Sequence, residues 1–461
     1  MAKWTAQAAR RKGLDPKAAR HTLKALAHDP DAFRNDPHFG ELARQISLIR
    51  KTEAAHQAAY TPRTEPAPYQ QWGDDLDPAS VQQMHNACRL PVALRGALMP
   101  DAHVGYGLPI GGVLATHNAV IPYAVGVDIA CRVKLTVLDM PAGTLASHRD
   151  RLIGALESET RFGIGAQFKG KRREHPVLDD DWNVSPVTRR NRDKAAAQLG
   201  TSGSGNHFVE FGVFRASDAD SARQLGVEPD REYLALLSHS GSRGTGAAVC
   251  QHYSQIAMAL HPELDKAARH LAWLDLDSHE GQEYWQAMQL MGRYASANHA
   301  CIHHAILRHL GARAVASIEN HHNFAWREVH EIEGRRREVI VHRKGATPAD
   351  QGALGIIPGS MASPCYVVRG KGSPQAMNSA AHGAGRVMSR TQAKNTYRWS
   401  DVRPVLDKAG VTLLSAGLDE VPFVYKNIDD VMALQQDLVE PIARFEPKLV
   451  KMAPAGEWPE D

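Results

Sequence analysis

The chain has 461 residues, 43% of them hydrophobic and 23% charged, the balance of a globular protein with a sizeable core. Fifty-four Lys and Arg against 51 Asp and Glu leave a formal charge of +3, which excludes a polybasic coat as the basis of function; any nucleic-acid contact must come from a local patch. No run approaches ~18 consecutive apolar residues, no apolar leader opens the chain, and five scattered cysteines make no disulfide framework, so a cytoplasmic protein without membrane contact is expected.

Taken in chain order, residues 1–60 read as helical, with Asp15-Pro16 as an N-cap followed by a first-turn proline. A Pro/Thr-rich break over Tyr60–Pro68 reads as a linker. The expected division is therefore a helical extension and linker over 1–68 and a main body over 69–461. Between about 90 and 140, short apolar runs alternate with glycines, and Arg132–Leu138 alternates with period two as a half-buried strand does. Further strands are expected at Phe208–Phe214, Tyr233–Ser238, Ala314–Ile318, Glu338–His342 and Cys365–Arg369. Helical periodicity marks Ala247–Leu271, Gly281–Leu310, Ala376–Tyr397 and Asp429–Arg444. Helices come in blocks instead of alternating with strands, which predicts an α+β fold. Basic clusters at Lys169–Arg173, Arg189–Arg192 and Arg335–Arg337 are, on charge alone, more often solvated faces than polyanion contacts.

Twenty-four histidines are an excess for this length and point to metal or acid–base chemistry. Four glycine-rich segments place ligand-type side chains near expected strand ends. Asp128 and Cys131 lie three residues apart in GVDIAC; Asn206, His207, Phe208 and Glu210 fall in GSGNHFVE; His239 and Arg243 fall in HSGSRG; His321 and His322 precede Asn323. A thiolate, a carboxylate and imidazoles together suit divalent transition metals. One such histidine alone would more often be an ordinary loop residue, but four segments of the same character weaken that reading. No close-spaced zinc signature occurs, so a metal site has to be assembled from distant segments. A fifth segment, Ala380–Arg386 (AAHGAGR), holds two glycines within a helical pattern, each costing about 1 kcal/mol there relative to alanine. Either a helix contact needs small residues, or backbone approaches a phosphate with Arg386 as counter-charge and His382 facing the same space. The Ile357–Met361 turn offers Ser360 and backbone amides to an anion. Lys344 and Lys426 are lone lysines, a type more often on the surface, and Asp101 with His103 reads as support for a site.

In combination and order, the segments PDAHVGYGLPIGG, GVDIAC, GSGNHFVE, HSGSRG, HHN, RKGA, PGSM, HGAGR and DEVPFVYKNI resemble the RtcB family of RNA ligases, from about residue 90 to 430. The resemblance implies an α+β fold of the family's own, with mixed and antiparallel sheets around a central metal and nucleotide site. It implies two Mn2+ ions and GTP as cofactors, and as partners RNA ends bearing 3′-phosphate or 2′,3′-cyclic phosphate and 5′-hydroxyl, with an activating helper protein a further candidate. Metal binding falls by resemblance to Asp128, Cys131, His207, His239 and His322, with Cys131 bridging two ions and His321 the competitor of His322. His382 is implied as the nucleophile that takes GMP from GTP. Asn206, Arg386 and Ser360 would hold phosphates; Phe208, Glu210 and Lys426 would contact guanine; Arg243 and Lys344 would lie near the reacting phosphates. A carboxylate such as Glu210 accepts from guanine N1–H and its amino group, which adenine cannot offer. Two departures stand out: Arg132 where the family usually has glycine, and Cys365 where it generally has serine.

The expected reaction is GTP-dependent joining of RNA ends in tRNA splicing or RNA repair. A metal-dependent phosphohydrolase or phosphodiesterase, or a non-catalytic RNA-end binder, is the alternative on such a scaffold, but neither needs a guanylate site.

Overall fold

A computed structural model describes residues 13–47, 50, 63–168, 170 and 172–457. The chain divides into two compact units, one of 1–62 with Leu260–Glu263 and one of Arg63–Ala259 with Leu264–Asp461. In the first, the helix Pro16–His28 starts as expected: Asp15 Oδ1 accepts from Lys17 N at 2.8 Å and Ala18 N at 2.9 Å. Leu26, Phe39, Leu42 and Ala43 form its small core. Residues 60–62 of the expected linker lie outside the described residues. The rest of that stretch, 63–68, is bound in place in the larger unit, where Arg63 N donates to Arg89 O and Ala67 N to Cys88 O.

The larger unit is α+β. Its described strands are β1 Tyr69–Gln71, β2 Ala93–His103, β3 Ile110–Thr116, β4 Ala119–Val120, β5 Arg132–Pro141, β6 Phe208–Ala216, β7 Tyr233–Ser240, β8 Leu274–Asp275 and β9 Ala314–His321. They continue as β10 Asn323–Ile332, β11 Arg335–Lys344, β12 Ala346–Pro348, β13 Leu354–Pro358, β14 Cys365–Gly370, β15 Ser379–Ala381, β16 Thr412–Ser415 and β17 Val439–Met452. One sheet runs β1-β2-β3-β11-β10; a larger one runs β13-β14-β17-β6-β7-β5-β9, with β16 also paired to β17. Among the described strands only β1/β2 and β16/β17 are parallel pairs; the other pairings are antiparallel.

The core follows the period-two alternation of the strands. Along β7, Ala235 and Leu237 pack with Val133, Leu135 and Phe445 on one face. Leu234 and Leu236 pack on the other face with Ile302 and Ile306 of the helix His279–Leu310 and Leu152 and Leu156 of the helix Arg149–Glu159.

Three helical expectations need correction. The pattern at Ala376–Tyr397 folds as β15, a turn through His382–Arg386, and only a short helix, Arg390–Thr396. Gly385 has a φ of +72°, and a Cβ there would overlap the Asp101 carbonyl, so this segment is bent against β2 and cannot be helical. The pattern at Asp429–Arg444 is helical only over Ile428–Ala433 and then becomes β17. This strand is the interior one between β14 and β6, where pairing on both edges overrides a weak helical period. The pattern at Ala247–Leu271 lies in a helix that runs Arg243–Leu260 and ends before His261-Pro262.

Strand register decides where ligand-type side chains meet. Cys131 immediately precedes β5, His207 immediately precedes β6, and His239 is the penultimate residue of β7. Antiparallel pairing sets His239 opposite both Phe208 and Val133, and Arg132 opposite His321. The starts of β5 and β6 therefore share a sheet edge with the ends of β7 and β9. His322 is the single residue between β9 of the larger sheet and β10 of the smaller one, so the chain changes sheets at that point. From the smaller sheet, β2 delivers Asp101 and β11 delivers Lys344, while β15, paired to β12, leads directly into His382.

Arg343 ties these pieces together. Fully buried, it donates to Glu328 Oε1 at 2.6 Å and Oε2 at 3.1 Å, to Ser379 Oγ at 2.8 Å and to Met377 O at 2.9 Å, with its guanidinium over the Trp326 ring. It thus joins β10 and β11 to the segment leading into His382. Removing one partner of a buried pair leaves the other uncompensated. Arg343→Ala is expected to lower the unfolding free energy by about 3 kcal/mol in urea titration; a loss under about 1 kcal/mol, the range of surface pairs, would show that the tie is not structural.

Candidate active site

Five side chains from four segments converge at the shared edge. Cys131 Sγ lies 3.4 Å from His207 Nε2 and 3.1 Å from His239 Nε2. His239 Nε2 lies 3.3 Å from His322 Nε2, and His207 Nε2 is 3.2 Å from Asp128 Oδ2. All five residues are buried. The ligand atoms of Cys131, His207 and His239 fall within 4.8 Å of one another, a spacing that can hold a metal ion. His321 lies on the neighbouring stretch of β9 but stacks on Phe324 and Trp326, each at 5.0 Å between ring centroids, so His322 is the member of the pair that faces the cluster.

Local geometry aims these groups. Asp128 Oδ1 accepts from Ser242 N at 2.9 Å and Ser242 Oγ at 3.2 Å, while the buried Oδ2 faces His207 Nε2 at 3.2 Å. Asn323 Nδ2 donates to Asp128 O at 3.2 Å, and Asn323 Oδ1 accepts from Gly345 N at 2.8 Å, which accounts for the asparagine after the two histidines. His239 Nδ1 donates to Asn206 O at 3.2 Å, leaving Nε2 without a proton and turned inward.

Charge states suit a cation. Burial tends to raise the Asp128 carboxyl, but the His207 hydrogen bond, the His207 and Arg243 charges and the Ser242 amide outweigh it and hold it well below the usual carboxylate range. Burial, then the neighbouring imidazoles, holds His239 and His322 well below the usual histidine range, so both are neutral ligands at neutral pH. A sulfur, three inward nitrogens and an ionised carboxylate fit a divalent transition metal.

Beside the cluster lies a cavity of about 920 Å³ lined by His382, Asn206, Phe208, Glu210, Ser360, Lys344, Arg386 and Lys426, together with the cluster residues. The His382 ring is 4.8 Å from that of His322. Asp101, completely buried, accepts at Oδ2 from His382 Nδ1 at 2.7 Å, from His382 N at 3.1 Å and from Gly383 N at 3.2 Å. With the Nδ1 proton committed to a carboxylate, His382 presents Nε2 as a lone pair.

Other expected residues take varied positions. Phe208 packs on the His239 ring at 5.6 Å. Ser360 Oγ is 2.8 Å from Ser363 Oγ, closing the turn. Glu210 is buried, and burial drives its carboxyl well above the usual range. Lys426 Nζ donates to Pro100 O at 2.9 Å. Lys344 is not on the surface, the common place for a lone lysine. It is buried, donates to Tyr106 O at 2.6 Å, and is lowered by burial to about 8. Arg243 also departs from its expected place near the phosphates. It is buried behind the cluster instead of lining the cavity, with a guanidinium nitrogen 3.2 Å from His207 Nδ1.

Glu420, Arg390 and Tyr425 are among the cavity residues that carry no sequence-based role. Glu420 pairs with Arg386 at 3.3 Å, with Arg390 and with the Tyr425 hydroxyl. Arg390 falls only four positions after Arg386, and Glu420 and Tyr425 belong to DEVPFVYKNI, but no spacing rule joins them because a turn and a helix separate the segments.

Comparison with known proteins gives the same picture. The family model described as tRNA-splicing ligase RtcB matches residues 83–184 and 179–452. The chain is 33% identical over 410 residues to the RNA-splicing ligase RtcB of Escherichia coli (strain K12), covering 82% of this chain and 96% of that protein. It is 31% identical over 447 residues to the tRNA-splicing ligase RtcB of Methanococcus maripaludis, covering 83% and 92%, and 32% identical over 428 residues to the RNA-splicing ligase RtcB of Mycobacterium tuberculosis, covering 79% and 98%. With most of its length matched and its ligand-type residues gathered at one sheet edge, the chain belongs to the RtcB family of RNA ligases.

Proposed function

We propose that this chain is a GTP- and manganese-dependent RNA ligase that joins RNA 3′-phosphate or 2′,3′-cyclic phosphate ends to 5′-hydroxyl ends through a guanylate carried on His382, in tRNA splicing or RNA repair. The observation that carries the reading is the Asp101–His382 pair beside the Cys/His/Asp cluster: an imidazole held with a bare nitrogen, next to a place for cations. A hydrolase that works through metal-bound hydroxide, or a non-catalytic end binder, would not need a nucleophile so arranged.

In this reading, His382 Nε2 attacks the α-phosphorus of GTP. The N–P bond forms as the P–O bond to pyrophosphate breaks, and Asp101 stabilises the charge that develops on the ring. An RNA 3′-phosphate oxygen then attacks the same phosphorus, and the ring leaves with its lone pair. The 5′-hydroxyl finally attacks the RNA phosphorus, GMP departs, and the hydroxyl proton passes to solvent. A cyclic end would first be hydrolysed to the 3′-phosphate. Asp128, Cys131, His207, His239 and His322 would hold the manganese, whose part is to offset phosphate charge and orient the leaving group. Arg386 would trade its Glu420 pairing for phosphate, and Lys344 adds a cation at the same wall. Glu210 suits guanine: burial favours its neutral acid, and the two donors that guanine brings, N1–H and the amino group, would stabilise the carboxylate that accepts from them.

Incubation with α-labelled GTP and manganese, followed by denaturing electrophoresis, is expected to leave label on the unaltered chain and none on His382→Ala. Metal content by mass spectrometry should not differ between the two. His382→Ala should still seal an RNA whose 3′ end already carries diphosphate-linked guanosine. Label on the alanine variant, or none on the unaltered chain at any manganese concentration, would sink the reading.

Asp101→Asn should slow adduct formation by roughly two to four orders of magnitude, the scale on which loss of an orienting carboxylate acts, with little change in the GTP concentration giving half-maximal rate. An unchanged rate would remove Asp101 from the site. Cys131→Ser should weaken manganese binding to the purified protein by an order of magnitude or more, because a neutral hydroxyl replaces a thiolate; calorimetry showing unchanged affinity and stoichiometry would exclude the sulfur as a ligand.

A further inference from the structure

At the mouth of the cavity stands an aromatic group with no part in metal, GTP or His382 chemistry. Tyr106 is 59% exposed, and Val104 beside it is 48% exposed, a costly display of large apolar surface on one short loop. The Tyr106 ring leans on Tyr123 at 6.3 Å and on His270 at 5.7 Å, and those two rings contact each other at 4.8 Å. Both Val104 and Tyr106 line the cavity that holds His382 and Lys344.

The loop is fixed at several points. Gly105 N donates to Gln83 Oε1 at 3.0 Å, Gly105 O accepts from Gln83 Nε2 at 2.5 Å, and Tyr106 O accepts from Lys344 Nζ at 2.6 Å. Gly107, at a φ of +73°, packs so closely on His270 that a Cβ would lie 2.7 Å from its carbonyl oxygen. Burial, then the charges of Lys344 and Arg269, keeps His270 below the ordinary imidazole range, so the ring supporting Tyr106 is uncharged at neutral pH. Two cations act on the His270 ring: Lys344 within the cavity, and the exposed Arg269 next to it in the chain. A rigid, half-exposed ring with positive charge around it, opening onto a phosphate-handling cavity, matches how single-stranded nucleic acid is held.

We propose that Tyr106 is a stacking platform for an unpaired nucleobase of an RNA end entering the cavity, a role that rests on the ligase reading above. It positions the strand whose terminus reacts and does not touch the reacting atoms. Its preference among bases should be slight, since every base offers a π face.

Tyr106→Ala is expected to raise the RNA concentration needed for half-maximal sealing by roughly ten- to a hundredfold, as loss of one base–aromatic stack does. Tyr106→Phe and Tyr106→Trp should keep the unaltered value, and adduct formation from labelled GTP should not change in any of the three. An abasic residue at the 5′-hydroxyl end in one substrate and at the 3′-phosphate end in another should identify the strand. One of them should reproduce the loss in the unaltered protein and add nothing in Tyr106→Ala. Sealing by Tyr106→Ala with unchanged RNA dependence, additive effects in both abasic arms, or an equal loss of adduct formation would each overturn the platform. Anisotropy of a short fluorescein-labelled single-stranded RNA needs no adduct, so it separates this proposal from the ligase reading: weaker binding by Tyr106→Ala supports the platform even if no guanylate forms, and equal binding refutes it.

Discussion

The arrangement turns on one electrostatic demand. Cys131 Sγ, the Nε2 atoms of His207, His239 and His322, and Asp128 Oδ2 are buried and crowd one another at 3.1–3.4 Å between successive neighbours. Protons alone stabilise such a cluster poorly, because a second proton on a buried imidazole creates a buried cation, and burial disfavours the charged form of His239 and His322. Ser242, Asn323 and the Asn206 carbonyl meet the outward polar atoms, so the sequence invests in fixing the cluster instead of relieving it. The loops that do this are glycine-rich for the same reason. A side chain at Gly241 would occupy the space of the Asp128 carboxylate, and one at Gly203 would displace the Arg243 guanidinium.

The cluster is built at one sheet's edge, and His382, the proposed nucleophile, is brought to it from elsewhere. His322 achieves this as the residue at which the chain passes from the larger sheet to the smaller one. The smaller sheet then carries Asp101 and Lys344, and the β12–β15 pair sets His382 against Asp101. Ala346 N donates to His322 O at 3.3 Å, joining the two halves through backbone instead of flexible side chains. The distance between the His322 and His382 rings is thus fixed by strand pairing and the buried Arg343 tie, the rigid support a positioned site requires.

What is legible in the sequence depends on what each signal encodes. Strands are legible where alternation is local, as in Arg132–Leu138, or where a short apolar run is bounded by polar residues, as in Tyr233–Ser238. The segment Asp429–Arg444 misleads because the apolar residues of its second half and beyond, Val439, Ile442, Ala443 and Phe445 among them, are buried on both faces of an interior strand, and such a run carries no clean period. HGAGR has the composition of a helix contact, yet its glycines need a different reason. For Gly385 that reason is close packing on the Asp101 carbonyl, a contact between residues remote in sequence that no local pattern reports. Ligand-type residues are recognisable one at a time through their glycine-rich settings. That Arg243 supports His207 and that Arg386 pairs with Glu420 depends on side-chain direction, which spacing does not fix.

Arg132 shows how such a scaffold absorbs a departure from the family pattern. Placed directly after Cys131, an unpaired guanidinium would bring a buried positive charge beside a site that has to attract cations. Arg132 instead pairs with Glu319, which also accepts from Lys134 at 2.8 Å and Ser296 at 2.8 Å, and its remaining donors go to Gly292 O and Ala130 O. Burial tends to raise the Glu319 carboxyl, but Arg132, His299 and Lys134 outweigh it and hold it far below the usual range, so it stays ionised wherever the protein is folded near neutral pH. Alternation along β5 and β9 puts this charge network one residue out of step with Cys131 and His322. Arg132 therefore brings a salt-bridged network up beside the cluster without entering it.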